Sequence, residues 1–80
     1  MSFETISVIG LGYIGLPTAA AFASRKKSVI GVDVNQHAVD TINKGQIHIV
    51  EPDLDKVVKQ AVEEGHLKAY TTPQPADAYL

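Results

Sequence analysis

Two features of this chain could do chemistry, and both are features of binding rather than of bond making. The first is Gly10-Leu11-Gly12-Tyr13-Ile14-Gly15, three glycines at G-x-G-x-x-G spacing, and the second is Asp33, 21 residues beyond Gly12. Gly10 permits a sharp turn out of a strand, Gly12 lets a pyrophosphate come up against bare backbone, and Gly15 lets the following helix lie close on a sheet. The amides of Tyr13 and Ile14, in the first turn of that helix, have no intrahelical carbonyl to bond and are free to donate to phosphate oxygens at the positive end of the helix dipole. An acid ending the next strand accepts the hydroxyls of the adenosine ribose. The competing readings are a purely structural glycine turn, a different nucleotide such as FAD or S-adenosylmethionine, and a solvated strand-end carboxylate for Asp33. The Tyr13 side chain serves equally well as a simple cover for the helix start.

Asp33 also chooses between dinucleotides. A 2′-phosphate about 4 Å from its carboxylate is repelled by on the order of 4 kcal/mol per charge pair at an effective dielectric near 20. Val34, Asn35, Gln36 and His37 supply no arginine to receive such a phosphate, so NAD is expected over NADP.

These residues need a strand, a turn and a helix to hold them. Thr5–Ile9 is β-branched and apolar, as in a strand covered on both faces of a parallel sheet. Tyr13 to about Arg25 carries an alanine cluster that favours a helix packed closely on that sheet, with Pro17 near its first turn. Ser28–Val34 reads as the second strand. Asn35 is placed to cap a helix bearing Ala38, Val39 and Ile42 on one side and stopped by Gly45. After a connector at 46–50, Pro52 at the first helical position and Asp53 and Asp55 in the first turn open another helix, striped by Leu54, Val57, Val58, Ala61 and Val62 and closed by Gly65. Leu67–Thr72 reads as a third strand, Pro73 and Pro75 as a loop, and Asp77–Leu80 as the opening of a fourth strand. Strand and helix in alternation predict an α/β, Rossmann-type parallel sheet with flanking helices, order 3-2-1, truncated at the start of a fourth strand that belongs beside the first. The expectation is therefore the amino-terminal part of a longer nucleotide-binding domain, with the edge of strand one exposed.

Composition narrows the function further. The chain has 80 residues, 45% hydrophobic and 20% charged, with a net charge of −2, which suits one small globular domain. It has no cysteine, so thiolate metal sites, disulfides and cysteine nucleophiles are excluded within these residues, in keeping with a cytoplasmic setting. His37, His48 and His66 are too scattered for a metal motif. His48, between Ile47 and Ile49, reads as a packing histidine and the other two as surface residues. Arg25, Lys26 and Lys27 are the only basic block and suit a helix C-terminus, so nucleic acid is not an expected partner. The uncharged run 6–24 ends in Ala21-Phe22-Ala23, like a signal peptide, but it is preceded by Glu4 rather than by a basic residue. Three glycines and Pro17 also interrupt it, and membrane insertion is not expected.

Ile6–Pro17, Val32-Asp33-Val34-Asn35 and Glu51-Pro52-Asp53-Leu54 together resemble the amino terminus of the UDP-glucose/GDP-mannose dehydrogenases. Tyr13, Leu16 and Pro17 make that resemblance more specific than a generic dinucleotide loop. It implies oxidation of a sugar C6 hydroxyl to a carboxylate by two successive hydride transfers to NAD, through a cysteine thiohemiacetal and thioester assisted by a lysine and an asparagine. All of those groups lie beyond the present residues. The family's cofactor positions carry over onto Gly10, Gly12, Tyr13, Ile14, Gly15 and Asp33. Residues 46–54 look most like members acting on UDP-N-acetyl-D-mannosamine for bacterial surface polysaccharide, including enterobacterial common antigen. UDP-glucose members more often have glycine where this chain has Asp53. The resemblance further implies a UDP-sugar substrate, a homodimeric intact enzyme and an inactive 80-residue piece. A non-catalytic nucleotide-binding module is the alternative.

Overall fold

The β-branched stretches pair as strands and the alanine- and valine-striped stretches coil against them. The computed structural model describes residues 4–80: β1 (Thr5–Ile9), α1 (Gly15–Ser24), β2 (Ser28–Val32), α2 (Gln36–Asn43), α3 (Leu54–Glu63), β3 (Leu67–Tyr70) and β4 (Ala78–Tyr79). The sheet runs β3-β2-β1-β4, parallel throughout, with Val8 beside Gly31, Gly31 beside Ala69, and Ile6 beside Ala78. This is the predicted Rossmann-type arrangement, and the fourth strand does open beside the first.

Because side chains alternate across a strand, Ile6, Val8, Val29, Leu67 and Ala69 share one face of the sheet. They form a single buried cluster with Leu16, Ala19, Ala20 and Ala23 of α1, Val39 and Ile42 of α2, and Leu54, Val58 and Ala61 of α3. All three helices therefore lie on that face. Residues 71–77 connect β3 to β4. This segment must travel from the C-terminal end of β3, over β2 and β1, back to the start of β4. Three strand spacings of about 4.8 Å across, with the return along a four-residue strand, make a path of about 20 Å, inside the roughly 23 Å reach of seven extended residues. Pro73 and Pro75 keep it extended, and a right-handed crossover puts it opposite the helices. Ser7, which points to that second face, is fully buried, and its Oγ has no hydrogen-bond partner among the described residues.

Element ends differ from the expectations in instructive ways. α1 begins at Gly15 rather than Tyr13, β2 ends at Val32 rather than Val34, and β3 at Tyr70 rather than Thr72. Pro52 is not the first helical residue. It stands in a turn, and α3 starts at Leu54 after Asp53, whose backbone is left-handed at φ +64°. The edge of β1 is not left open, since Asp77 N–H donates to Thr5 O, Leu80 N–H to Ser7 O, and Ile9 N–H to Leu80 O. The Asp77 carboxylate also accepts from the Glu4 and Thr5 amides, at 3.2 and 3.0 Å. No helix among the described residues is long and apolar enough to cross a membrane.

Candidate functional site

The glycine loop joins β1 to α1 at the C-terminal edge of the sheet. Gly10 takes φ +87°, which redirects the chain, and its N–H donates to Val32 O at 2.7 Å. Gly15 packs so tightly that a Cβ there would overlap the carbonyl of Gly10, the close helix–sheet contact that the spacing predicts. Gly12 is different in kind. Its φ is ordinary and a Cβ would meet nothing within 4 Å, so its bareness serves no internal contact and leaves space above the loop.

The helix start is electrically open. Ile14 occupies the N-cap position with helical backbone, and no side chain caps it. The first amide bonded across the turn is Leu16 N–H, to Gly12 O at 3.0 Å, while the Gly12, Tyr13 and Ile14 amides find no backbone acceptor among the described residues. Tyr13 and Ile14 thus keep the free donors expected of them, although from the turn before α1 and not from within it. Their side chains are 65% and 84% exposed. A cleft of about 520 Å³ lies here, walled by Val8, Ile9, Gly10, Gly12, Tyr13, Ile14, Gly15, Thr18 and Leu80.

Asp33 stands just past β2 beside a second hollow that shares Ile9 and Gly10 with the first. Its Oδ2 accepts the Leu11 amide and its Oδ1 the Asn35 amide, each at 2.9 Å. The Leu11 bond, then the Asn35 bond, hold its carboxyl below the usual 3.8, with the positive field of His48 a minor help against partial burial. The carboxylate is ionised at neutral pH, and its hollow adjoins the loop's cleft at Ile9 and Gly10. Asn35 does cap α2, its Oδ1 accepting Ala38 N–H at 3.2 Å.

One member of the site was invisible to the motif. Leu11, an unconstrained position in the fingerprint, is completely buried over Gly31 and donates its amide to Asp33. The one signal in the sequence was the glycine inside the second strand, which marks a close approach of another chain segment. His48 is half-buried as expected, with Nδ1 unpartnered, whereas His66 lies only partly at the surface, 3.7 Å from Glu64. No cluster of metal-ligating side chains occurs among the described residues.

Residues 4–80 match the UDP-glucose/GDP-mannose dehydrogenase family, NAD binding domain. The chain belongs to this family. It is 84% identical over all 80 residues to the UDP-N-acetyl-D-mannosamine dehydrogenase of Yersinia pestis and 69% identical to the NDP-N-acetyl-D-galactosaminuronic acid dehydrogenase of Ralstonia nicotianae, covering 19% of each. Among solved structures it is similar to the UDP-N-acetyl-mannosamine dehydrogenase of Staphylococcus aureus, with a TM-score of 0.90 and 45% identity over 94% of this chain and 18% of that one. The chain thus spans about a fifth of the relatives it matches. NAD is the cofactor of this family's domain. The open amides at 12–14, the unfilled space over Gly12 and the ionised Asp33 suit a dinucleotide, with two phosphates on the loop and a ribose at the carboxylate.

Asp53 makes the turn before α3 with a left-handed backbone, a conformation that glycine takes freely and aspartate tolerates better than most residues.

Proposed function

We propose that these residues form the amino-terminal part of the NAD-binding domain of a nucleotide-sugar 6-dehydrogenase that converts UDP-N-acetyl-D-mannosamine to UDP-N-acetyl-D-mannosaminuronate. Gly10, Gly12 and Gly15 shape the cradle, the Tyr13 and Ile14 amides hold the pyrophosphate, and Asp33 holds the adenosine ribose. NAD bound there would supply the hydride acceptor, two NAD molecules in succession each taking one hydride per sugar. The catalytic and sugar-binding groups lie outside this chain, which is inactive alone. The intact enzyme works in the cytoplasm as a homodimer, in bacterial surface-polysaccharide synthesis such as that of enterobacterial common antigen, and needs no nucleic acid or membrane.

The observation that carries the cofactor reading is the 2.9 Å bond from the Leu11 amide to Asp33, which joins the carboxylate to the glycine loop. The sugar rests on the 84% identity with the Yersinia pestis enzyme. The test is an assay of the full-length protein against UDP-N-acetyl-D-mannosamine, UDP-glucose and UDP-N-acetyl-D-galactosamine with NAD or NADP. Two NADH per molecule of UDP-N-acetyl-D-mannosamine, with NAD preferred, is the expected result. Faster oxidation of UDP-glucose makes it a UDP-glucose 6-dehydrogenase instead, and no turnover of any sugar makes it a binding module.

A further inference from the structure

We infer that β2 sets the position of the phosphate loop through Leu11 lodged over Gly31, so that both are positioning residues for the dinucleotide although neither touches it. The inference rests on the reading that the loop takes the pyrophosphate.

Leu11 departs from its neighbours. Tyr13 and Ile14 stand well out in solvent, whereas Leu11 is 0% exposed. A Cβ added at Gly31 would lie 2.9 Å from Leu11 Cδ1 and 3.0 Å from Cδ2, so the leucine fills the place where a β2 side chain would be. Gly31 is in an ordinary strand within the sheet, paired to Val8 on one side and Ala69 on the other, and its own conformation does not call for glycine. The absent side chain serves the leucine.

Two further bonds join the same partners. Gly10 N–H reaches Val32 O at 2.7 Å and Leu11 N–H reaches Asp33 Oδ2 at 2.9 Å. Three successive residues, Gly31, Val32 and Asp33, therefore grip the two residues that lead into the open amides at 12–14. A methyl group at Gly31 would press on the terminal methyls of Leu11, and because Leu11 is fully buried in a core that does not deform smoothly, we expect the shift to pass to its backbone and, through one peptide, to the phosphate donors.

The experiment measures ADP and adenosine binding to the full-length protein by calorimetry, in wild type, Gly31→Ala, Leu11→Ala and the double variant. The wild type is expected to bind ADP more tightly than adenosine, and absence of that gain would sink the phosphate reading itself. Gly31→Ala is expected to weaken ADP about tenfold, as a small misplacement of binding groups does, while adenosine changes less than about twofold. Leu11→Ala should lose ADP similarly. The double variant should bind no worse than Leu11→Ala, since the new methyl enters the space the leucine left. Unchanged ADP binding in Gly31→Ala, equal losses for ADP and adenosine, or losses that add in the double variant would each overturn the inference. If Gly31→Ala does not fold, Leu11→Val decides it: a selective loss of ADP supports the clamp and wild-type ADP affinity refutes it.

Discussion

Asp33 braces the loop with its carboxylate and, in the proposed function, also receives the ribose. An ionised carboxylate offers about four acceptor sites, and the Leu11 and Asn35 amides occupy two of them, which leaves capacity for ribose hydroxyls. Hydrogen bonds to a charged group contribute at most about 1.5 to 3 kcal/mol each, and partial exposure reduces that here. In the full-length protein Asp33→Ala should therefore weaken NAD by roughly ten- to a hundredfold and weaken NADP less, because the same change removes the repulsion of a 2′-phosphate. A titration in which both affinities stay at the wild-type value would take Asp33 out of the site. The two amide bonds also fix the direction of a pH effect. Since they lower the folded carboxyl's pKa beneath its ordinary 3.8, the stability they give is complete above that value and lost as pH falls through the folded pKa. Followed by NMR, the Leu11 and Asn35 amide shifts should both move with one inflection below pH 3.8. An inflection at or above it would mean that the amides do not favour the charged form.

At the scale of elements, the three helices end alike. In α2 and α3 the glycines Gly45 and Gly65 follow the C-cap, and Gly45 N–H to Ile42 O, Gln46 N–H to Thr41 O, Gly65 N–H to Val62 O and His66 N–H to Ala61 O complete Schellman motifs. Both stops were legible because glycine announces them. α1 closes by the same pair of bonds, Lys26 N–H to Ala23 O and Lys27 N–H to Phe22 O, yet its left-handed residue is Lys26 at φ +67°. The basic block Arg25–Lys27 marked roughly where that helix ends, but no glycine marked the left-handed residue. The same gap hid the turn at Asp53, and nothing local in the sequence separates the Leu11 that dives under the loop from the Tyr13 and Ile14 that do not. The strand order, the glycine turn, the Asn35 cap and Asp33 were readable because each follows from local spacing. The missed features depend on what lies across the sheet. Lys26→Gly should raise stability by about 0.5 to 1 kcal/mol, since relief of the left-handed strain exceeds the loss of an exposed ion pair, here the 2.9 Å contact with Glu64. Lys26→Ala, which loses the pair and keeps the strain, should lower it. A thermal melt in which both variants fall together would show that the ion pair outweighs the backbone.

At the scale of the whole molecule, the two edges of the sheet are treated differently. On β3, Asn43 of α2 bonds both backbone groups of Ala69, accepting from its N–H at 2.8 Å and donating to its carbonyl at 3.0 Å. A side-chain amide there takes the place of a neighbouring strand and blocks that edge. β4 has no such guard. It shields β1, but its own outer side pairs with no strand among the described residues, and Ile9, Tyr79 and Leu80 beside it are each more than half exposed. The edge available for association is thus that of β4 and not, as the sequence predicts, that of β1. In sedimentation velocity the 80-residue chain should show concentration-dependent self-association. Leu80→Lys should suppress it, because the backbone bonds of Leu80 to Ser7 and Ile9 do not depend on its side chain and the added charge repels a second copy. Asn43→Ala should enlarge the oligomers by opening the second edge. A monomer at every concentration in wild type would remove β4 as an adhesive edge. If association persists in Leu80→Lys and vanishes on shielding β3, the guard has been assigned to the wrong side of the sheet.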